Sequence, residues 1–329
     1  MTGMDHPVTA RLRAEVERAL EAFLGQYPAH DAHGLYAPVH YLMALGGKRL
    51  RPVLTLVAAE AEGDRAAALP AAVAVELFHN FTLMHDDIMD EAPLRRGQPT
   101  VHARWDVSAA ILSGDAMYTL AVTALAQSRP DRLPGLLACF NRTALEVCIG
   151  QQADMAFAGR TDVTVADYLE MIRLKTSVLV AASCALGAEA AGASAERVAH
   201  WYRFGERVGL AFQLQDDLLD AFGEATGKQV GGDILADKQT FLMLHAQAEG
   251  DAGLREELAR WAGPTDRPQA KIDAVTAAMR ATGADDAARA LMERYAAEAA
   301  EELAALEVGD PELASALAGL TRHAIERTV

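Results

Sequence analysis

The stretch HDDIMDEAPLRR, His85 to Arg96, places Asp86, Asp87 and Asp90 close together and follows them with Arg95 and Arg96. On a helix Asp86 and Asp90 are one turn apart, about 40° around the axis and about 6 Å along it, so both carboxylates point the same way. At that separation two like charges repel by about 3 kcal/mol at an effective dielectric near 20, which calls for a compensating cation. Oxygen ligands without His or Cys favour magnesium, with manganese as the alternative, over zinc. Magnesium held by one or two carboxylates completes its shell with water and phosphate oxygens, and Arg95 and Arg96 carry the charge to meet phosphate. An isolated DxxxD would read as an ordinary solvated helix end. This one has an echo: FTLMHDDIMD, Phe81 to Asp90, resembles FQLQDDLLD, Phe212 to Asp220, and Asp216, Asp217 and Asp220 repeat the first spacing.

Cations accompany both clusters. GGKRLRP, Gly46 to Pro52, adds Lys48, Arg49 and Arg51 ahead of a long apolar segment; Lys175 precedes Thr176, and Lys228 and Lys238 follow the second cluster. Singly each is an ordinary surface charge. Together they outline an anion site in a chain whose 30 basic and 46 acidic residues leave it at −16. That net charge argues against nucleic acid or an anionic membrane as the main partner.

The elements that position these groups read as helices. Hydrophobic residues make up 51% and charged residues 23% of the 329, in a mixture rich in Ala and Leu. No proline falls between Pro134 and Pro264, so long helices can run there unbroken. Sustained period-two alternation is absent. Breaks are expected at residues 26–34, 62–65, 92–100, 129–134, 159–164 and 190–194, where Gly, Pro or Asp punctuates the apolar periodicity. No linker separates the two clusters, so the expectation is an all-α fold: one bundle over residues 1–329, its motif-bearing core at about 40–245, with both clusters facing a central cavity. The helices over 265–329 are assigned a packing role. No run of eighteen or so apolar residues suggests a membrane span, and the amphipathic start lacks a signal-peptide core, so a cytoplasmic protein is expected. Cys139, Cys148 and Cys184 lack metal or redox spacing and read as small core residues.

GGKRLRP, the DDxxD of HDDIMD followed by PLRRG, GQQAD at Gly150 to Asp154, and FQLQDDLLD followed by GKQVGGDILADK resemble, in this order over Gly46 to Lys238, the trans-isoprenyl diphosphate synthase family. The resemblance implies an all-helical fold of the isoprenoid synthase type, magnesium dependence, a homodimer, and head-to-tail condensation of isopentenyl diphosphate with an allylic diphosphate (dimethylallyl, geranyl or farnesyl). It implies Asp86, Asp90 and Asp216 as the main metal contacts, with Asp87, Asp217 and Asp220 beside them. Arg95, Lys175 and Lys238 would hold the allylic diphosphate, with Lys228 adding charge. Lys48, Arg51, His79 and Arg96 would hold isopentenyl diphosphate, and Thr176 and Gln213 would set oxygens near the carbocation. His85 could support the aspartates, and Gln151 and Asp154 could orient the metal shell or touch substrate. The resemblance implies that the released diphosphate is the general base.

A chain growing alongside the first aspartate helix, toward its N-terminal end, meets Phe81 and Thr82 about one turn back and Leu77 and Phe78 a turn deeper. One aromatic beside one small residue resembles the medium-chain synthases, those making geranylgeranyl diphosphate first and farnesyl diphosphate next, with Tyr118 a further candidate cap. Longer polyprenyl products, a terpene cyclase and a non-catalytic binding subunit are the alternatives. Glu76 and His79 form ExxH, half of the signature of a di-iron oxidase, but the chain has no second copy of that motif.

Overall fold

The computed structural model describes residues 6–158, 160–223 and 230–325, with side chains to 322, and most of these residues are helical. Lys228 lies outside the described residues. Helix starts follow local chemistry. Asp106 accepts the Ala109 N–H at the head of Val107–Leu125. Thr164 and Asp167 cap each other's backbone to open Val165–Ile172, and Thr240 and Asp251 cap Phe241–Glu249 and Ala252–Arg260. Each satisfies an N–H that the first turn leaves without an intrahelical partner.

The breaks expected at 26–34, 62–65 and 92–100 lie between helices. The last of them holds the two strands found among the described residues. Leu94–Arg95 pairs antiparallel with Gln98–Pro99, Leu94 opposite Pro99 and Arg95 opposite Gln98. Arg96 and Gly97 form the loop with φ of 54° and 75°, the sign that a two-residue I′ turn requires at both positions. Strands this short have no readable period.

The chain divides into two compact units, one formed by residues 1–141, 182–202 and 306–319, the other by 142–181, 203–305 and 320–329. In the first, Leu69–Met89 packs against Val107–Leu125, Leu50–Ala61 and Pro7–Leu24, around fully buried Leu12, Leu54, Leu77, Phe78 and Met117. In the second, Phe241–Glu249 packs against Ala284–Ala305, Pro268–Ala281 and Val165–Ile172, over a core that includes Tyr168, Leu214, Leu218, Ile234 and Val275.

Two expectations are corrected here. The C-terminal helices do more than pack: Lys271, 1% exposed, reaches Asp237 Oδ1 at 2.6 Å, and the Gly263 N–H donates to Asp237 Oδ2 at 3.0 Å. Asp237 has φ of 53° and precedes Lys238, so this ion pair, buried on its Lys271 side, holds the segment that carries Lys238. Second, three helices are long and apolar enough to cross a membrane: Ala66–Met89, Val107–Leu125 and Val165–Ala191. Reading only uncharged runs missed them, because a helix interrupted by an occasional charge keeps an apolar average. In the first and third, 61% and 78% of the apolar window is buried inside the protein, and helices buried on several sides need the same composition as a span. For Val107–Leu125 the figure is 39%.

Candidate active site

Leu69–Met89 ends at Asp90, and its last turn has no basic residue. Three aspartates therefore sit at the negative pole of the helix, where each is unfavourable by about 0.3–1 kcal/mol. They differ in surroundings. Asp87 is 3% exposed, and Arg95 grips it: Nε donates to both carboxylate oxygens at 2.9 and 2.8 Å, and Nη2 lies 2.7 Å from Oδ1. Asp86 is half-buried and Asp90 exposed. The sequence reading, which offered all three to metal, is narrowed: Asp87 is matched by Arg95 and fixes that guanidinium, while Asp86 and Asp90 are the accessible pair.

The cations of the same unit also separate. Arg49, 5% exposed with φ of 53°, donates to Glu76 at 2.7 Å, to Glu17 at 2.8 Å and to the Met43 carbonyl at 3.0 Å. Breaking such a buried pair would cost about 3–5 kcal/mol, so Arg49 belongs to the fold. Glu76, held by Arg49 and by Asn80 at 2.9 Å, is committed to this network, which removes the ExxH reading. Lys48 is exposed. Gly47, at φ 152°, makes room for Arg96: a Cβ there would stand 3.0 Å from its Nη2.

Arg51 Nη1 donates to His79 Nε2 at 3.3 Å, which requires that nitrogen to be unprotonated because a guanidinium has no acceptor. Burial first, then the charges of Arg51, Arg96, Arg95 and Arg49, holds His79 well below its ordinary 6.5. A base whose folded pKa is depressed makes the unfolded chain the greater proton binder as pH falls below 6.5, so stability is lost on the acid side by up to about 1.4 kcal/mol per pH unit. Urea midpoints measured at pH 7 and pH 5.5 should therefore converge in His79→Gln relative to the parent. An unchanged acid-side slope would contradict the neutral imidazole.

His85 is turned away from the supporting role considered for it. Its Nε2 lies 3.3 Å from the Ile111 carbonyl and 3.8 Å from Asp115, and a Cβ on Gly114 would stand 2.2 Å from that nitrogen. Its ring meets Phe81 at 4.7 Å, Phe81 meets Tyr118 at 5.5 Å, and Phe78 meets Phe140 at 5.3 Å. Thr82 donates to the His79 carbonyl.

In the second unit Ala195–Phe222 likewise ends in acids, with no basic residue in its last turn. Asp217, 3% exposed, accepts from the Tyr168 hydroxyl and from Gln213 Nε2 at 3.1 Å. Burial pushes its carboxyl up to about 7, against the lowering effect of the Tyr168 and Gln213 hydrogen bonds. Asp220 Oδ2 accepts the Asp233 N–H at 3.0 Å, its carbonyl accepts the Gly231 N–H at 2.7 Å, and Asp233 lies 3.6 Å from Lys238 Nζ. Asp216 is half-buried. Here too the buried middle carboxylate has protein partners, so Asp217, offered to metal in the sequence reading, is matched as Asp87 is.

Lys175 Nζ meets Asp154 Oδ2 at 2.6 Å, and Thr176 Oγ1 donates to Gln213 Oε1 at 3.1 Å. Both lie in a π-helical turn, Arg173–Ser177, a distortion frequent at functional sites. Glycines let it form: a Cβ on Gly150 would stand 2.3 Å from the Lys175 nitrogen, and one on Gly209 2.7 Å from Ser177 Cα. Asp154 thus holds Lys175. Tyr168, Asp233 and the π turn were missed by the sequence reading; the glycines Gly150 and Gly209 were the available signal.

Among the described residues no three His, Cys, Asp or Glu side chains form a ready-made ion cage. Accessible carboxylates at two negative helix poles, with few oxygens each, suit magnesium that takes further oxygens from phosphate.

The fold has solved counterparts. A crystal structure of a geranylgeranyl pyrophosphate synthase superposes with a TM-score of 0.91 at 42% identity, covering 97% of this chain and 99% of that one. Among curated proteins, geranylgeranyl diphosphate synthase of Methanosarcina mazei is 43% identical over 242 residues, 72% of this chain and 74% of its own. Geranylfarnesyl diphosphate synthase of Natronomonas pharaonis is 38% identical over 310 residues, 88% and 89%. The architecture is that of the all-α isoprenoid synthases. Within that class the chain belongs to the polyprenyl synthetase family, whose profile matches residues 32–279.

Proposed function

We propose that the protein condenses isopentenyl diphosphate head to tail with an allylic diphosphate (dimethylallyl, geranyl or farnesyl) to give a medium-chain all-trans prenyl diphosphate, geranylgeranyl diphosphate foremost. One observation carries the reading: each unit carries three aspartates at or within the last two turns of a long helix with no basic residue in its last turn, beside cations held by acids of their own. The names of the relatives support the product class, as does Phe81 beside Thr82.

Magnesium, or manganese, would supply positive charge to the oxygens of the leaving diphosphate. Asp86 and Asp90, and Asp216 with Asp220, would hold it. The allylic C–O bond breaks with its electron pair leaving on diphosphate; the double bond of isopentenyl diphosphate then attacks the cation, and the released diphosphate takes the proton lost from the new chain. Lys175 and Arg95, fixed by Asp154 and Asp87, meet the allylic diphosphate already oriented, so little reorganisation is needed as charge develops. Lys238 adds to them. Arg96, Arg51, Lys48 and neutral His79 serve isopentenyl diphosphate. A lost charge-assisted hydrogen bond acts on the phosphate it touched, so Arg96→Ala should raise KM for isopentenyl diphosphate roughly tenfold, and Lys175→Ala that for the allylic substrate. Equal changes in both constants for both variants would undo this division.

The decisive experiment incubates the purified protein alone with magnesium, isopentenyl diphosphate and each allylic diphosphate, and resolves the dephosphorylated products by chromatography. A longer linear alcohol is expected. A cyclic hydrocarbon would indicate a terpene cyclase, and no product without a second protein a binding subunit. A homodimer is the proposed assembly: Val107, Ile111 and Leu112, 48%, 42% and 60% exposed, line one side of Val107–Leu125, and Leu145 and Ile149 are exposed one turn apart on Leu133–Phe157. Light scattering at the monomer mass would overturn it.

A further inference from the structure

Four side chains of the second unit form a chain of hydrogen bonds whose donors all point toward Asp217. The Asp217 carboxylate has Tyr168 on Oδ2 and Gln213 Nε2 on Oδ1. With both Asp217 oxygens accepting, the Gln213 amide stands with its NH2 toward Asp217 and its Oε1 away. That oxygen accepts from Thr176 Oγ1 at 3.1 Å. The proton of Thr176 is therefore spent on Gln213, and both lone pairs of its oxygen are left for whatever stands on its open side. Were the amide turned over, Thr176 would have to accept from Gln213 and one lone pair would be lost. Tyr168, 3% exposed on Val165–Ile172, stands at the far end and is seven residues from Lys175.

We propose that Tyr168 is a positioning residue for the condensation: by anchoring Asp217 it sets the sense of the Tyr168–Asp217–Gln213–Thr176 relay, so that Thr176 presents lone pairs rather than a proton to the allylic cation. This rests on the proposed reaction and on Thr176 facing the cation. The π turn serves the same end. It holds Thr176 within reach of Gln213, and Gly209, at the Ser177 backbone, allows that close approach. Tyr168 acts only through Thr176, so it should affect the stabilisation of the cation and leave diphosphate binding alone.

The test is a kinetic double-mutant cycle on the full chain with magnesium and both diphosphates. Tyr168→Phe should lower kcat about tenfold, with KM for either substrate changed less than threefold, and Thr176→Val should lower kcat by at least as much. Thr176→Ser, which keeps the hydroxyl, should retain most of the activity. The double variant Tyr168→Phe/Thr176→Val should be no slower than Thr176→Val alone, because residues acting as one unit are non-additive. A merely structural Tyr168 would give multiplicative losses, and that result overturns the relay, as does parental kcat in Tyr168→Phe when Thr176→Val is slow. Parental kcat in Thr176→Val would instead remove Thr176 from the cation and overturn the reading of the site on which the relay depends. Thermal melts of the four variants show whether each is folded at the assay temperature.

Discussion

Asp86→Ala and Asp216→Ala each lower turnover by roughly two to three orders of magnitude, the scale on which loss of one preoriented electrostatic group slows a reaction that builds charge. Neither variant loses its fold. Asp86 stands in the last turn of Leu69–Met89, which has no basic residue, so its removal relieves about 0.3–1 kcal/mol of unfavourable dipole interaction in the metal-free protein; Asp216, half-buried and about two turns before the end of Ala195–Phe222, gains little from that source. Steady-state rates with both substrates, read beside thermal melts in the absence of magnesium, give the two signs together: rate down, melting temperature level or slightly up. Asp87→Ala is a different experiment, because it strips Arg95 of its buried partner, and a loss there would mix fold with chemistry. Near-parental turnover in either Asp86→Ala or Asp216→Ala at ordinary magnesium would sink the proposed part of that cluster.

Phe81→Ala lengthens the product by at least one isoprene unit. Phe81 is half-buried and lies about one turn before Asp86, against Tyr118 at 5.5 Å and His85 at 4.7 Å. Removing its ring opens the path beside the first aspartate helix, and one helical turn spans about 5.4 Å, near the length of one unit. Behind it Phe78 meets Phe140 at 5.3 Å and Tyr118 at 6.1 Å, a second aromatic layer that should limit the extension. Phe78 is 1% exposed, and truncating it would cost about 3–5 kcal/mol of core packing, which makes Phe81 the cleaner test. Chromatography of dephosphorylated products would show the shift; an unchanged distribution would mean the floor lies elsewhere.

The sequence by itself determined what short-range geometry determines. Asp86 with Asp90, and Asp216 with Asp220, share a helix face because four residues make about one turn, and the helices start at Thr164, Asp106, Thr240 and Asp251 because those side chains reach N–H groups two or three residues on. The helical class followed from composition and periodicity, and the family resemblance from motifs in fixed order. Tertiary structure decided which of these groups are accessible and what holds them. Asp87 is matched by Arg95 across a hairpin whose two-residue loop needs positive φ at Arg96 and Gly97. Arg49 is closed off by Glu76 and Glu17, Asp217 by Tyr168, and Asp237 by Lys271, pairs separated by 27, 32, 49 and 34 residues. A charge in a sequence carries no sign of its partner at such distances, and only packing brings the two together. The same reason hid the π turn at Arg173–Ser177, whose shape depends on glycines from neighbouring helices. Local periodicity places a side chain on a face; the dielectric and the partner it finds there are set by the rest of the chain.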